Sequence, residues 1–219
     1  VWLTSQDSGA YICNGVSLPQ LIKRIVNLEV DFMVRIGMMN PNHAAEILDE
    51  LVEVYGSQKV YKFIHLPVQS GNNEILKAMN RQYTRELFLE IVDELRGNYP
   101  SLTLSTDVIA GFPGESEEQF YDTVSLLKEA EPDVVNVSMF TPRPHTPAAK
   151  LPNKVPGWEI KRRSRILSSV SSDLSFKRNL KWVGWKGDAL VTEIARKGGV
   201  VARNYVYKHI IVRENLTLG

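Results

Sequence analysis

Cysteine is nearly absent, Cys13 being the only one in 219 residues. A single thiol excludes an intrachain disulfide and any cysteine cluster able to bind a metal, and Cys13 is expected to be a quiet loop or core thiol. Long apolar runs are missing as well. No stretch approaches the roughly 18 uninterrupted apolar residues of a membrane helix. The first residues also lack the basic, apolar and small-residue succession of a secretory signal, so a cytoplasmic location is expected. There is no initiating methionine: residues 1–4 read as a buried strand already under way, which predicts that the chain is cut from a longer protein. What is present, 43% hydrophobic and 23% charged residues, is the composition of a globular protein long enough for one large domain and a small appendage.

The net charge of +1 conceals two opposed halves. Residues 1–149 carry 11 Lys+Arg against 20 Asp+Glu, a balance of −9, whereas residues 150–219 carry 15 against 5, a balance of +10. The expectation is an acidic body with a basic tail.

Along residues 1–140 one pattern repeats: a short apolar run, a polar or Gly/Pro turn, then an amphipathic stretch of helical length. This predicts successive βα units and a parallel sheet. The runs are 1–4, 32–36, 60–66, 102–110 and 134–140, with helices from about 18, 42, 72 (continuing after Thr84) and 116. Ser116 before Glu117, Glu118 and Gln119 marks a helix start, where a cap and acids are favoured. Five prolines between Pro142 and Pro156 exclude a helix or central strand there. Residues 158–181 then read as one long basic helix. Alternating runs at 189–194 and 205–212, split by Lys197-Gly198-Gly199, suggest a short antiparallel segment.

In a βα barrel, ligands bind where strands end and helix N-termini begin. The strand ends here collect amides, hydroxyls and glycines, a rim suited to a polar ligand with a ribose and an amino-acid end. Taken singly, each has a plain structural explanation. Gly111 and Gly114 punctuate a strand-to-helix turn, His65 is a hydrogen-bonded structural histidine, and Asp7 and Glu115 serve as turn and cap. Arg35 is expected to pair with an inward carboxylate such as Asp107 or Glu115, a structural ion pair and a substrate contact both staying open.

Together, five motifs in order carry a resemblance: Thr4-Ser5-Gln6-Asp7-Ser8-Gly9-Ala10-Tyr11; His65-Leu66-Pro67-Val68-Gln69-Ser70-Gly71; Met79-Asn80-Arg81-Gln82-Tyr83-Thr84; Thr106-Asp107-Val108-Ile109-Ala110-Gly111-Phe112-Pro113-Gly114-Glu115; and Phe140-Thr141-Pro142-Arg143-Pro144 with Thr146-Pro147-Ala148-Ala149. They resemble the strand-end motifs of the radical S-adenosylmethionine tRNA methylthiotransferases, over nearly the whole chain. The Gln-Asp-Ser-Gly-Ala-Tyr form is similar to the archaeal and eukaryotic branch acting on threonylcarbamoyladenosine in tRNA.

The resemblance implies an α/β fold, a partial (βα) barrel of the radical SAM type over residues 1–157. A basic connecting helix would follow at 158–184, and the start of a TRAM-like RNA-binding β domain at 185–219. It implies S-adenosylmethionine and two 4Fe-4S clusters in the full enzyme, a 5′-deoxyadenosyl radical that takes hydrogen from an adenine C–H bond, and tRNA as partner. The protein's share of such chemistry is positioning and exclusion of water. By strand order, Gln6 would lie near the methionine end of the cofactor, Gln69 and Ser70 at its ribose, and Ile109, Ala110, Gly111, Met139 and Phe140 around its adenine. The basic residues Arg162, Arg163, Arg196, Lys197, Arg203 and Lys208 would meet RNA, with Tyr205 and Tyr207 as stacking surfaces. No metal ligand is assigned, no membrane contact is expected, and no obligate protein partner is evident.

The chain departs from the pattern in three ways. The radical-cluster cysteines with their strand are missing, the N-terminal cluster domain is missing, and His145 stands where the family usually has glycine. The chain alone is therefore expected to be inactive, and a different turn is expected at His145. Three rivals stay open: a methylthiotransferase acting on a ribosomal-protein aspartate, a non-catalytic RNA-binding module, and a metabolic barrel enzyme.

Overall fold

The computed structural model describes residues 1–196 and 198–219. Lys197, one of the residues expected to meet RNA, lies outside the described residues. In chain order the elements are β1 (Trp2–Leu3), β2 (Ile12–Cys13), β3 (Val16–Ser17), α1 (Leu18–Val26), β4 (Arg35–Ile36), α2 (Pro41–Glu46), α3 (Leu48–Tyr55), β5 (Phe63–His65), α4 (Asn73–Ala78), α5 (Arg85–Asn98), β6 (Thr103–Ala110), α6 (Glu117–Ala130), β7 (Val134–Met139), a 3-10 turn (Pro147–Lys150), α7 (Gly157–Leu180), β8 (Leu190–Ile194), β9 (Val200–Arg203) and β10 (His209–Val212).

Apart from the antiparallel β2–β3 hairpin, the strands of the body add in chain order and run parallel. β1 pairs with β4, and an isolated bridge between Val34 and Val60 carries β4 to β5. β5 pairs with β6 and β6 with β7. Parallel strands need long return connections, and the amphipathic helices supply them. Their apolar faces and the outer sheet face share one core, including Ile22, Ile36, Leu51, Leu66, Phe88, Leu104 and Phe120.

Strand alternation sends Leu104, Thr106, Val108 and Ala110 of β6 into that core. Asp107 and Ile109 are left half-buried on the concave face. In β7, Asn136 and Ser138 are exposed on the same concave side while Val135 and Val137 pack on the core.

Helix starts follow local chemistry. Ser116 and Gln119 form a reciprocal capping box, Gln119 N–H to Ser116 Oγ at 3.2 Å and Ser116 N–H to Gln119 Oε1 at 3.0 Å. The helix expected from residue 42 breaks at Ile47, whose φ is −122°. The break lets one segment serve two neighbours, α2 packing on α5 and α3 on α1.

The tail forms a three-stranded antiparallel sheet in the order β10-β9-β8. Its middle strand was not visible in the sequence, because Val200, Val201 and Ala202 are all buried and give no alternation. The run expected at 205–212 is a strand only from His209 onward. Before it, Asn204 Oδ1 accepts Val206 N–H (3.3 Å) and Lys208 N–H (2.9 Å) in a tight turn. That turn docks on the body through Lys62 N–H to the Tyr205 carbonyl, 2.8 Å.

Candidate nucleotide-binding cleft

At the C-terminal ends of β5, β6 and β7 the concave face opens into a cleft of about 770 Å³. It is lined by His65, Gln69, Arg81, Asp107, Ile109, Asn136, Ser138, Met139, Phe140, Thr141, Arg143, Thr146 and Ala148. Another cavity, of about 930 Å³, lies at the opposite end between β1 and β8. Its walls are mainly apolar and aromatic, Val1, Trp2, Phe32, Tyr61, Leu190 and Tyr207 among them. Barrel sites lie at the C-terminal ends of the strands, so the cleft there, with its convergent polar groups, is the candidate.

Asp107 organises its floor. Its Oδ1 lies 2.9 Å from His65 Nε2 and accepts Asn136 Nδ2 at 2.8 Å. Burial opposes ionisation of this carboxyl, but the hydrogen bonds from His65 and Asn136, with the Arg81 charge nearby, hold it below the usual carboxylate range.

A second carboxylate sits on the neighbouring loops. Asp7 Oδ2 is 2.7 Å from His43 Nδ1 and 2.6 Å from Asn40 Nδ2, and its Oδ1 accepts the Gly9 and Asn40 N–H groups. Burial again opposes ionisation and these bonds outweigh it, so Asp7 too is lowered. Asn40 in turn accepts Arg81 Nη1 through its Oδ1, 3.2 Å. The arginine reaches the cleft from the α4–α5 turn.

The expected cofactor residues do not all reach the cleft. Gln69, Ile109, Met139 and Phe140 line the cleft. Gln69 holds φ at +66°, and its backbone is fixed by Gln69 N–H to the Asp107 carbonyl and Ile109 N–H to the Gln69 carbonyl, at 2.8 and 2.9 Å. Ser70 does not reach the cleft: it is fully buried, its Oγ accepting Asn72 N–H and lying 3.4 Å from Thr123 Oγ1. Ala110 is buried in the core, and its carbonyl accepts Phe140 N–H. Gly111 gives its N–H to Glu115 Oε2, 3.0 Å, and does not line the cleft. Gln6 is exposed on the loop after β1 and does not line the cleft.

Of the lining residues missed, Asp107, Asn136 and Ser138 had a signal. Alternation alone puts Asp107 beside Ile109 on one strand face, and Asn136 and Ser138 interrupt an otherwise apolar β7.

Among the described residues Arg35 makes no ion pair, against expectation. Asp107 and Glu115 are already engaged, by His65 and Asn136 and by Arg163, and Arg35 lies at the other end of the sheet. There its guanidinium sits 4.7, 4.5 and 5.0 Å from the ring centres of Trp2, Phe63 and Tyr207. Its Nε has no hydrogen-bond partner among the described residues.

Tyr207 is therefore not a free stacking surface, since it fills this aromatic cluster with Tyr61 and Arg203 as well. Arg163 is likewise unavailable to RNA. It is 4% exposed and bonded to Glu115 and Glu159, both at 2.7 Å. Arg162 bonds Glu117 and Glu159, Arg203 pairs with Glu193, and Lys208 approaches Asp133 at 4.0 Å. Arg196 is exposed.

His145 holds the left-handed conformation in its turn, φ +65°. The turn is closed by Thr146 Oγ1 to the Arg143 carbonyl at 2.8 Å.

Five parallel strands in chain order with a polar cleft at their C-terminal ends define a half-barrel enzyme scaffold. The sequence matches the Radical SAM superfamily over residues 8–127, more than half of the chain, and the chain belongs to that superfamily. Two solved structures share the fold. They are coproporphyrinogen III oxidase of Escherichia coli (TM-score 0.56, 18% identity, 71% of this chain and 37% of that one) and a radical S-adenosylmethionine methyltransferase of Kitasatospora setae (TM-score 0.53, 17%, 68% and 29%).

Among its curated relatives the chain is similar to a probable threonylcarbamoyladenosine tRNA methylthiotransferase of Pyrococcus horikoshii, 49% identical over 98% of this chain and 50% of the relative. It is also similar to the threonylcarbamoyladenosine tRNA methylthiotransferase of Homo sapiens, 37% identical over 98% of this chain and 37% of the relative. The chain spans half or less of the length of these relatives.

The superfamily implies S-adenosylmethionine and a 4Fe-4S cluster. The cluster does not fit the residues of this chain. Thiolates bind such clusters, Cys13 is the single cysteine and stands exposed on the β2–β3 hairpin, and no metal-binding group of three or more His, Cys, Asp and Glu occurs among the described residues. Also among the described residues, no helix is long and apolar enough to cross a membrane.

Proposed function

We propose that the chain is the barrel and tail of a tRNA methylthiotransferase that places a methylthio group on C2 of N6-threonylcarbamoyladenosine, acting in the cytoplasm. The 49% identity over nearly all of the chain carries this reading, and the cleft at the strand ends supports it. The thiolates for the iron-sulfur clusters, two in the parent, then come from outside these 219 residues, and the chain alone holds no cluster and is inactive.

S-adenosylmethionine would lie in the cleft against Gln69, Ile109, Met139 and Phe140, and when bound it supplies radical chemistry. Ser70, Ala110 and Gly111 then form the wall behind these residues, and Gln6 reaches the cofactor only if the β1 loop shifts. The side chains of the chain orient the ligand: Asp107, fixed by His65 and Asn136, offers Oδ2 as an acceptor, and the Gln69 amide offers both a donor and an acceptor. Residues 185–219 act as a TRAM-like RNA-binding unit in this reading, with Arg196 the exposed candidate of the set.

The test uses the complete parent protein, reconstituted anaerobically, with an anticodon stem-loop carrying threonylcarbamoyladenosine. Mass spectrometry is expected to show one methylthio group replacing hydrogen on the nucleoside. Modification of a ribosomal-protein aspartate instead, or of neither, overturns the reading. In parallel, stoichiometric 4Fe-4S absorption from the 219-residue chain would disprove its proposed inactivity.

A further inference from the structure

Away from the cleft, a small pocket lies where the end of α7 meets the turn that docks the tail. It holds about 160 Å³ between Ser101, Lys181, Trp182, Trp185 and Tyr205, with the buried Arg178 behind them. Past the helix the chain closes on itself, Trp182 N–H reaching the Asn179 carbonyl at 2.9 Å and Trp185 N–H the Trp182 carbonyl at 3.1 Å. Gly184, at φ +78°, turns it back. A Cβ on Gly187 would stand 2.5 Å from Trp185 Cζ2, so the indole fills space that a side chain there would take. Tyr205 is fixed from the other side, its carbonyl accepting Lys62 N–H. Trp182 meets Trp185 and Tyr205 edge-on, at centroid distances of 5.8 and 6.1 Å. Neither contact is face to face, which leaves ring faces for a planar ligand.

The charge around the pocket has one sign. No acidic side chain lines it among the described residues. Behind Arg178, Asp133 is approached by three cations, Arg178 at 3.1, Arg96 at 3.7 and Lys208 at 4.0 Å, and Glu131 is taken by Lys177. Three rings alone would suit an alkylammonium. The positive surround opposes that and favours an aromatic group carrying an anion. The volume is below the roughly 300–1,000 Å³ of a small-molecule site, so the pocket suits one ring system presented by a larger molecule.

We propose that this pocket takes one unpaired nucleobase of an RNA, stacked among Trp182, Trp185 and Tyr205, with an adjoining phosphate on Lys181. Single-stranded RNA is held by such stacking on aromatic side chains. With tRNA as the source, the assignment rests on the function proposed above. Eight residues of extended chain, about 26 Å, separate Ser101 at the pocket from Ile109 in the cleft. The base held here is therefore not a neighbour of one held in the cleft.

The experiment titrates the 219-residue chain with an RNA trinucleotide whose central base is 2-aminopurine, which loses fluorescence on stacking, and with the same strand abasic at that position. Quenching is expected, and the abasic strand is expected to bind roughly 5- to 140-fold more weakly. Trp185→Ala removes a similar factor from the base-bearing strand while changing abasic binding less than about twofold, and Trp185→Phe keeps part of the preference. Lys181→Gln weakens both strands alike and lowers the slope of log K against log salt by about 0.7. Unmodified tRNA releases the probe.

Equal binding of the two strands, equal loss of both in Trp185→Ala, AMP binding as tightly as the trinucleotide, or failure of tRNA to release the probe overturns the assignment. If the parent still methylthiolates threonylcarbamoyladenosine in that case, only the base pocket falls. If the pocket takes the base and the parent leaves the nucleoside unmodified, the proposed function falls and the pocket stands.

Discussion

Gly111 and Gly114 both hold positive φ in the turn after β6, 77° and 86°, yet they face different surroundings. A Cβ on Gly111 would meet Ile160 Cγ1 of α7 at 2.5 Å, whereas one on Gly114 would meet nothing within 4 Å. Gly114→Ala therefore adds backbone strain alone, about 1–2 kcal/mol. Gly111→Ala adds overpacking of a further 1–3 kcal/mol or so. Urea unfolding midpoints are expected to rank wild type, then Gly114→Ala, then Gly111→Ala; equal losses would mean that Ile160 yields freely. At His145 the opposite change is informative. Its left-handed φ is tolerated in a closed turn, and His145→Gly is expected to raise stability by less than about 1 kcal/mol. A loss of stability would show that the imidazole makes an interaction worth more than the strain.

Among the elements, α7 binds the rim to the tail. Arg163 lies buried between Glu115, which also accepts the Gly111 N–H, and Glu159 one turn away on the helix. Removing one partner of a buried pair leaves the others uncompensated, so Arg163→Ala is expected to cost about 3–5 kcal/mol in chemical denaturation.

The two acids respond to pH with opposite sign. Hydrogen bonds from Arg162 and Arg163 pull Glu159 down to about 2. A folded-state value below the ordinary one contributes stability above the usual carboxylate range and loses it as pH falls from about 4.5 toward 2. Burial raises Glu115 despite Arg163, so its contribution is present at low pH and weakens as pH rises past the ordinary carboxylate value. The stability gap between wild type and Glu159→Gln is therefore expected to shrink from about pH 6 down to about pH 2.5. A gap that stays constant would show that Glu159 is not the titrating group.

The helix itself was legible as a run of basic residues from Trp158 onward, in place within a residue at each end. Its inward charges were not legible, because Arg163 and Glu115 are 48 positions apart and only the fold brings them together.

Across the whole molecule, the −9 body and the +10 tail partly neutralise each other. Arg162, Arg163, Lys177 and Arg178 all bond acids of the body or of α7, Lys177 to Glu131 and Arg178 to Asp133 at 3.1 Å. Lys161, Arg165, Lys181, Lys186, Arg196 and Arg213 remain exposed. Under the RNA-binding reading these cations, rather than the total excess, set the salt dependence. Arg196→Glu with Lys181→Glu is expected to reduce the slope of log K against log salt for an anticodon stem-loop by about 0.7–0.9 for each phosphate that is no longer neutralised. Glu90→Lys on the exposed acidic body is expected to leave the slope unchanged. Binding without salt dependence, or a slope untouched by the double reversal, would place the RNA surface elsewhere.

The sequence by itself determined the order of the strands, the parallel sheet, the polar strand ends and the family, because apolar period and ordered motifs are local properties of the chain. It also determined that Cys13 is the only thiolate these residues can offer. Only the tertiary structure decided which rim residues face the cleft. Gln69 and Ser70 are adjacent, yet one lines it and the other is sealed against Thr123 of α6. Only the fold, too, turned Arg35 into a stack with Trp2, Phe63 and Tyr207 and brought Arg81 against the Asn40 amide. The reason is physical: alternation selects the face of a strand a side chain occupies, but which charge or ring waits on that face depends on segments tens to more than a hundred residues away.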